Sequence, residues 1–254
     1  MKYGAQLFSL RDQCQTPEEI RNTFSRCAKM GYQVVQASGM GPIDPYELRD
    51  ISQEFSLPIT ITHTAPKRLE EELDRVIEEH RIFGCPVIGL GAMPKIYRDG
   101  LVSTWKDFYN KFDPIARRIR EAGLDFAYHN HAFEFKPLDD GKLLYEHILE
   151  ETDWSLIADV CWMEIGGVVP AEWFPRLKGR IRNAHAKDAR SYEGTEKDFC
   201  PLGQGKTDLP SALRAMEENG CEFCHVEQDN ATKKPDPFGE MAASAAWLKE
   251  KKYL

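Results

Sequence analysis

Four residues with metal-binding side chains, Glu134, Asp159, His185 and Glu227, lie at or just after the ends of separate apolar segments. These segments span residues 124–131, 154–159, 180–186 and 222–226. Three carboxylates and one imidazole, contributed by different strands, form a suitable ligand set for one divalent metal ion. The sequence therefore predicts a metal centre, provided that the fold brings these strand ends together.

The elements that must position these residues form a repeating pattern of short apolar runs and helix-periodic segments. Eight strand candidates begin near residues 3, 32, 57, 86, 124, 154, 181 and 223. Their spacing is typical of a strand followed by a helix. Several helix starts are marked by a capping side chain before proline, as at Thr16-Pro17, Asp44-Pro45 and Asp236-Pro237.

Eight strands that alternate with helices predict a parallel sheet, because each crossover must carry the chain back to the same edge. We expect a closed (β/α)8 barrel rather than an open sheet, since no Gly-x-Gly-x-x-Gly motif follows the first strand. No composition break divides the chain, so residues 1–254 are expected to form a single barrel domain. Residues 192–206 and 229–237 are expected to form long loops over the catalytic face.

Composition excludes several classes of function. The net charge of −8 argues against a nucleic-acid partner, which requires a basic face. No apolar stretch is long enough to span a membrane, and the N-terminus lacks the apolar region of a signal peptide. The seven cysteines follow no disulfide framework, and Cys221-Glu-Phe-Cys224 is not accompanied by a second such pair. We therefore expect reduced thiols and a cytoplasmic location.

The fifth strand candidate, which reads Tyr-His-Asn-His-Ala-Phe-Glu-Phe at 128–135, leaves the identity of one ligand open. His129 and His131 lie on the same face of a strand and can bind metal, orient a ligand or transfer a proton. Glu134 is the carboxylate of this segment, but it lies in the following loop and must fold back. Either histidine is an alternative to Glu134 as the ligand.

His185 and Lys187 are likewise two positions apart, so both are expected to face the barrel interior or its mouth. Burying both without partners would cost several kcal/mol, which favours a functional role. Around the mouth, His63, Asn130, Trp162 and Gln204 are predicted to bind substrate. Trp162 is suited to stack on an apolar sugar face, and Gln204 lies in a Gly-Gln-Gly loop that is predicted to close over the ligand. Packing or turn roles are the alternatives.

Taken together, these motifs resemble the xylose-isomerase-like TIM-barrel superfamily. The resemblance rests on His-Asn-His-x-x-Glu-Phe at 129–135, His-x-Lys-Asp at 185–188, Gly-Gln-Gly at 203–205 and Glu227, and it extends to residues 6–12 and 31–36. Within the superfamily, the chain is most similar to sugar phosphate isomerase/epimerase proteins and to inosose-dehydratase-like proteins. The epimerases have a glutamate within the fifth strand, where this chain has His129.

The resemblance implies one divalent ion, with manganese first and cobalt, magnesium or zinc as alternatives, bound by Glu134, Asp159, His185 and Glu227. It implies a small sugar or cyclitol substrate and an isomerase or epimerase that removes the proton next to a carbonyl. Glu227, together with Glu134 or His131, would act as base and acid on the two sides of the carbon, and Lys187 would stabilise the oxyanion or protonate a leaving hydroxyl. A dehydratase using the same site and a non-catalytic sugar-binding barrel are the alternatives, and a homodimer is expected.

Overall fold

The computed structural model describes residues 1–194 and 197–254. Within these residues, eight parallel strands close into a barrel in the order β1-β2-β3-β4-β5-β6-β7-β10. The barrel strands are β1 (Lys2–Gln6), β2 (Val34–Ala37), β3 (Ile59–His63), β4 (Val87–Leu90), β5 (Asp125–His129), β6 (Ser155–Asp159), β7 (Asn183–Ala186) and β10 (Phe223–Val226). All eight strand predictions and the closed barrel are confirmed.

Helices surround the barrel and connect its strands. They are α1 (Pro17–Met30), α2 (Pro45–Glu54), α3 (Pro66–Glu71), α4 (Leu73–Phe83), α5 (Val102–Glu121), α6 (Leu144–Glu151), α7 (Val160–Ile165), α8 (Pro170–Leu177), α9 (Leu209–Glu218) and α10 (Pro237–Glu250). Short 3-10 helices span Leu7–Gln13, Lys95–Tyr97, Phe133–Phe135 and Ala231–Lys233. No helix in the two described ranges is both long and apolar enough to cross a membrane.

The predicted capping residues start their helices for the expected reason. The Thr16 side chain accepts from the backbone N–H of Glu19, whose carboxylate accepts in return from the backbone N–H of Thr16, and Pro17 follows at the first helical position. Asp44 caps α2 by accepting from Tyr46 and Glu47. These caps fix the first turns of α1 and α2.

The long segment before α9 contains structure that the sequence pattern does not predict. Within the loop expected over residues 192–206, β9 (Asp198–Cys200) pairs antiparallel with β8 (Asp188–Ser191), just before the segment. Residues 195–196 of this predicted loop lie outside the described residues. The resulting hairpin places Phe199 against the indole of Trp162, with ring centroids 5.3 Å apart. The hairpin therefore forms one wall of the barrel mouth.

The core has two layers. Large apolar side chains fill the space between sheet and helices, where Trp105, Phe108, Tyr128 and Trp154 pack edge to face or tilted. Inside the barrel, a smaller cluster of Ile61, Val87, Ala127 and Ile157 fills the lower part. Above that cluster the inward-facing positions become polar. All seven cysteines are unpaired and buried, as expected for reduced thiols.

Candidate metal centre

Four side chains converge at the carboxyl ends of neighbouring strands. They are His129 at the end of β5, Asp159 at the end of β6, His185 in β7 and Glu227 just after β10. One ligand atom from each lies within 4.8 Å of all the others, and every side chain is buried. The strand register accounts for this, since Asp159 pairs with His185 and His185 with His225, two residues before Glu227.

The separations within this group match the geometry of a shared cation. The Nδ1 atom of His185 lies 2.9 Å from Glu227 Oε2 and 3.4 Å from Asp159 Oδ2, and His129 Nε2 lies 3.5 Å from the same Asp159 oxygen. Ligands at about 2.0–2.2 Å from one ion are separated from each other by roughly 3–3.5 Å. The donor set of two imidazoles and two carboxylates therefore fits a divalent metal ion.

Each histidine of the group is held in one tautomer by a carbonyl oxygen on its far side. The ring of His129 donates from Nδ1 to the backbone carbonyl of Gly91 at 2.9 Å, and His185 donates from Nε2 to the side-chain carbonyl of Gln36 at 2.7 Å. In the neutral ring these nitrogens carry the proton, so the other nitrogen of each ring would present its lone pair to a bound cation. This arrangement is typical of metal-binding histidines.

The four inward-facing atoms make no hydrogen bond of normal geometry. His129 Nε2, Asp159 Oδ2, His185 Nδ1 and Glu227 Oε2 are all buried without such a partner in the described residues, and close contacts between charged groups stand in its place. Buried polar atoms in proteins are normally paired, and unpaired ones call for an explanation such as an ion. Four such atoms that face one another would fit a single bound cation.

Lys187 completes the charged cluster. It also contacts Asp229, a residue that the sequence pattern did not single out. Its wholly buried ammonium lies 2.9 Å from Asp159 Oδ2, 2.9 Å from Glu227 Oε2 and 3.1 Å from Asp229 Oδ1. Three carboxylates thus face one ammonium, which leaves two negative charges for a divalent cation to neutralise. Asp229 follows Glu227 by two residues outside the strand, so strand periodicity alone gave no signal for it.

The pKa values in this cluster follow from burial and from these neighbours. Burial opposes ionisation of Asp159 and Glu227, but the Lys187 ammonium outweighs it and holds the pKa of both carboxyls well below the usual range. Burial would lower the pKa of His185, yet the carboxylates of Glu227 and Asp159 raise it to about 9. Burial raises the pKa of Asp229 to about 6 against the opposing effect of Lys187. The cluster therefore attracts positive charge.

The structure does not bring Glu134 into this group, in contrast to the ligand set implied by the family resemblance. Its carboxylate is buried, with Oε1 accepting from the Tyr128 hydroxyl at 2.6 Å and Oε2 accepting from the His131 backbone N–H at 2.7 Å. Tyr128 precedes His129 in β5 and therefore points to the opposite face, toward the helices. A carboxylate bound to that hydroxyl lies on the outer side of the strand. Burial also raises the pKa of Glu134 to about 7.

Three other predicted residues do lie beside the group. The ring centroid of His63 is 5.1 Å from that of His129 and 5.6 Å from that of His185. His131 lies 4.8 Å from His129 and 5.3 Å from Trp162, between the metal candidates and the wall of the mouth. His63 Nε2, His131 Nδ1 and Trp162 Nε1 have no hydrogen-bond partner in the described part of the chain. Burial lowers the pKa of His63 and of His131 well below the usual range, so both rings are neutral.

Asn130 is placed beside the site but is engaged by the backbone. Its side-chain oxygen accepts from the Asp159 N–H at 3.0 Å, and its amide donates to the Asp159 carbonyl at 3.3 Å. The side chain is fully buried, so it joins the ends of β5 and β6 instead of facing the mouth. Asn130 therefore positions Asp159, and the structure gives no contact with the mouth that substrate binding would require.

Gln204 is not brought to the group either. It is exposed, and its side-chain oxygen accepts from Arg190 at 2.8 Å. The Gly-Gln-Gly loop is held by the Asp188 carboxylate, which accepts from the backbone N–H groups of Gly203 at 2.9 Å and Gly205 at 2.9 Å. The loop is anchored in place by these bonds, and the Gln204 side chain points away from the metal candidates toward Arg190.

The family model described as "Xylose isomerase-like TIM barrel" matches residues 24–251. No curated protein matches the chain. A sugar phosphate isomerase/epimerase from Parabacteroides distasonis is 22% identical, with a TM-score of 0.83 over 99% of this chain and 95% of that one.

Two further solved structures share the fold at lower identity. A probable 3-DHS dehydratase from Bacillus anthracis is 16% identical, with a TM-score of 0.76 over 98% of this chain and 99% of that one. A D-allulose 3-epimerase from Methylomonas sp. is 14% identical, with a TM-score of 0.74 over 100% of this chain and 98% of that one. The similar folds therefore include one protein described as an epimerase and another described as a dehydratase.

Proposed function

This chain belongs to the xylose isomerase-like TIM barrel family, and we propose that it is a divalent-metal-dependent sugar isomerase or epimerase. The observation that carries the proposal is the convergence of His129 and His185, each bonded to a carbonyl oxygen through its outer nitrogen, on two buried carboxylates, with all four ligand atoms within 4.8 Å of one another. The similar structures described as epimerases support a sugar substrate.

The proposed metal ligands are His129, Asp159, His185 and Glu227, with His129 replacing Glu134 of the sequence-based prediction. When bound, a divalent cation would polarise the substrate carbonyl and lower the cost of forming the enediolate. Manganese remains the first candidate, as the family resemblance implies, and the carboxylates of Asp159 and Glu227 are donors that suit it.

The chain's own residues would move the protons. The neutral His131 imidazole has an unpaired Nδ1 beside the group and is the proposed base for the proton next to the carbonyl. Glu227, whose carboxylate stays ionised, is the proposed partner base on the other side of the group. The Lys187 ammonium would donate a hydrogen bond to the developing oxyanion. Trp162 would pack against the sugar and exclude water.

A dehydratase is the second candidate, and one observation favours it. Lys187 places a buried ammonium directly beside Asp159 and Glu227, where it can protonate a leaving hydroxyl. The family resemblance also implies a glutamate at the position of His129 in the epimerases, so the proposed ligand set here has two carboxylates instead of three. The solved structure described as a probable 3-DHS dehydratase has the same fold. Elimination and isomerisation share the first step, removal of the proton.

Metal content tests the ligand assignment. We expect His129→Gln and His185→Gln to lose stoichiometric manganese, as measured by inductively coupled plasma mass spectrometry after dialysis, because each removes an imidazole donor. Glu134→Gln should retain the metal, and His147→Gln on α6 serves as the matched remote control. Metal loss in Glu134→Gln with retention in His129→Gln would refute the assignment.

The reaction is tested by incubating the metal-loaded protein with keto-pentoses, keto-hexoses and inososes in D2O. Deuterium in recovered or epimerised sugar supports isomerisation, whereas an enone product shows dehydration. Failure of the wild-type protein to bind metal or to exchange any of these protons would defeat the enzyme proposal. It would leave a non-catalytic sugar-binding barrel.

A further inference from the structure

A cleft of about 540 Å3 opens beside the candidate metal centre. It lies between the loop that connects β2 to α2 on one side and α4 on the other, and residues 62–65 at the end of β3 also line it. This volume falls within the range of small-molecule sites, which is roughly 300–1,000 Å3. The cleft begins at the carboxyl ends of β2 and β3, the end of the barrel where active sites are found.

His63 joins this cleft to the metal candidates. Its side chain lines the cleft, and its ring packs against the rings of both His129 and His185. A ligand in the cleft would therefore be separated from the proposed metal ligands by one side chain. His63 is also only partly buried, unlike the four members of the group.

A second cavity of about 480 Å3 is lined in part by Trp162, Phe199 and Asp229, and otherwise by polar or charged residues. All three are close to Lys187, whose Nζ atom lies 5.4 Å from the Trp162 ring centroid, 5.3 Å from that of Phe199 and 3.1 Å from Asp229. This second cavity therefore borders the residues that would act on the reacting sugar. The metal candidates have one cavity on the Lys187 side and another on the His63 side.

The walls of the cleft define the chemistry of its occupant. Met40, Pro42, Ile43 and Phe83 supply apolar surface, and Ser38 adds a hydroxyl that is 3% exposed. The Ser38 Oγ atom and His63 Nε2 are both buried without a hydrogen-bond partner in the described parts of the chain. Apolar surface with two unpaired polar atoms suits a ring that carries hydroxyl groups.

The charged residues around the cleft are already paired with one another. Arg68 bonds Glu79 at 2.7 Å, Arg75 bonds the same glutamate at 3.0 Å, and Arg68 also contacts Glu72 at 3.5 Å. These pairs leave little unbalanced charge to recognise a phosphate or a carboxylate. The occupant is therefore expected to be neutral.

The cleft is also preformed. The backbone N–H of Gly41 donates to the carbonyl of Cys14 at 2.8 Å, and the Gln15 amide donates to the carbonyl of Gly39 at 3.0 Å. A Cβ atom on Gly41 would lie 2.1 Å from the carbonyl oxygen of Gln15, so this close approach requires glycine. These contacts hold the loop between β2 and α2 in place above α4. The cleft therefore does not need a ligand in order to form.

We propose that the substrate is a keto-sugar carrying a second, neutral ring, and that this ring binds in the cleft between His63, Ser38, Ile43 and α4. The reacting ring would occupy the cavity beside Lys187 and Trp162. This inference rests on the proposed function for the identity of the reacting ring. The cleft itself is tested by binding alone.

Binding to the metal-loaded protein is measured by calorimetry with methyl β-D-glucopyranoside, phenyl β-D-glucopyranoside and cellobiose. Phenyl glucoside and cellobiose should bind about tenfold more tightly than methyl glucoside, because only they place a second ring in the cleft. Ile43→Trp, which fills the cleft, should abolish this difference without weakening methyl glucoside. Ser38→Ala should weaken cellobiose alone.

Ile96→Trp is the matched control, since Ile96 is 77% exposed and lines neither cavity. It should retain the full preference for the two-ring ligands. Equal affinity for all three ligands in the wild-type protein, or an equal loss of all three in Ile43→Trp, would overturn the proposal. A two-ring preference in a protein that neither binds metal nor exchanges protons would preserve the cleft and defeat the proposed function.

Discussion

The hydrogen bond from His185 to Gln36 offers a direct test of how the barrel prepares its metal site. Both side chains are fully buried, and the His185 Nε2 to Gln36 Oε1 distance is 2.7 Å. Gln36→Met keeps nearly the same side-chain volume but removes the acceptor. The imidazole can then place its proton on Nδ1, facing Glu227, and this proton must be displaced before a metal binds.

The size of the effect follows from what is left unpaired. A metal-bound His185 in the variant would bury an Nε2–H group without an acceptor, at a cost of about 1–3 kcal/mol. A cost near 2 kcal/mol corresponds to an approximately thirtyfold higher dissociation constant, which means weaker metal binding. This lies within the 10–100-fold range for loss of a histidine's outer hydrogen-bond partner at metal sites.

Manganese titration followed by calorimetry measures the change, and thermal unfolding of the metal-free protein checks the fold. Gln53→Met on the surface of α2 is the matched control and should bind manganese like the wild type. An unchanged dissociation constant in Gln36→Met would refute the assignment of His185 Nδ1 as a ligand atom. An equal loss in both variants would show that the effect is not specific to the bond.

Two further predictions concern stability. Gly205→Ala should lower the free energy of unfolding by about 1–3 kcal/mol in urea titrations, because a Cβ atom there would lie 2.2 Å from Asp188 Oδ1; an unchanged urea midpoint would contradict this packing. Burial lowers the pKa of His80 from 6.5 to about 4, and its neutral ring bonds the Val76 carbonyl and the Thr62 hydroxyl. The unfolded chain therefore takes up this proton first as pH falls, and up to about 3 kcal/mol of stability should be lost between pH 6.5 and 4. His80→Gln should lack that part of the pH dependence of stability. A pH profile identical to that of the wild-type protein would contradict the assignment to His80.

The sequence alone predicted the barrel because its determinants are local. Apolar runs of strand length recur at the spacing of a βα unit, and capping residues such as Thr16 and Asp44 mark helix starts wherever the chain is read. Parallel strands in a closed barrel must all end at one mouth. Asp159, His185 and Glu227 were therefore expected to meet there, and the structure does bring them together.

The fourth member of the group could not be identified from the sequence in this way. His129, His131 and Glu134 all lie within six residues, and their spacing allows each of them to approach the mouth. The structure separates them through partners that are distant in sequence or on the opposite face of the strand. The backbone carbonyl of Gly91, just after β4, orients the His129 ring. The Tyr128 hydroxyl holds Glu134 on the outer face of β5.

Asp229 and Gln36 illustrate the same limit. Neither belongs to a pattern that indicates chemistry, since Asp229 lies in a loop and Gln36 lies within the short, largely apolar strand β2. Each gains its role from a side chain brought close by barrel closure, Lys187 for Asp229 and His185 for Gln36. Gln36 and His185 are 149 positions apart in the chain.

Periodicity and capping thus determined the scaffold and three of the four strand-end residues. Only closure of the barrel decided the fourth residue, the tautomers and the neighbouring cavities, because these depend on contacts between strands that are far apart in sequence.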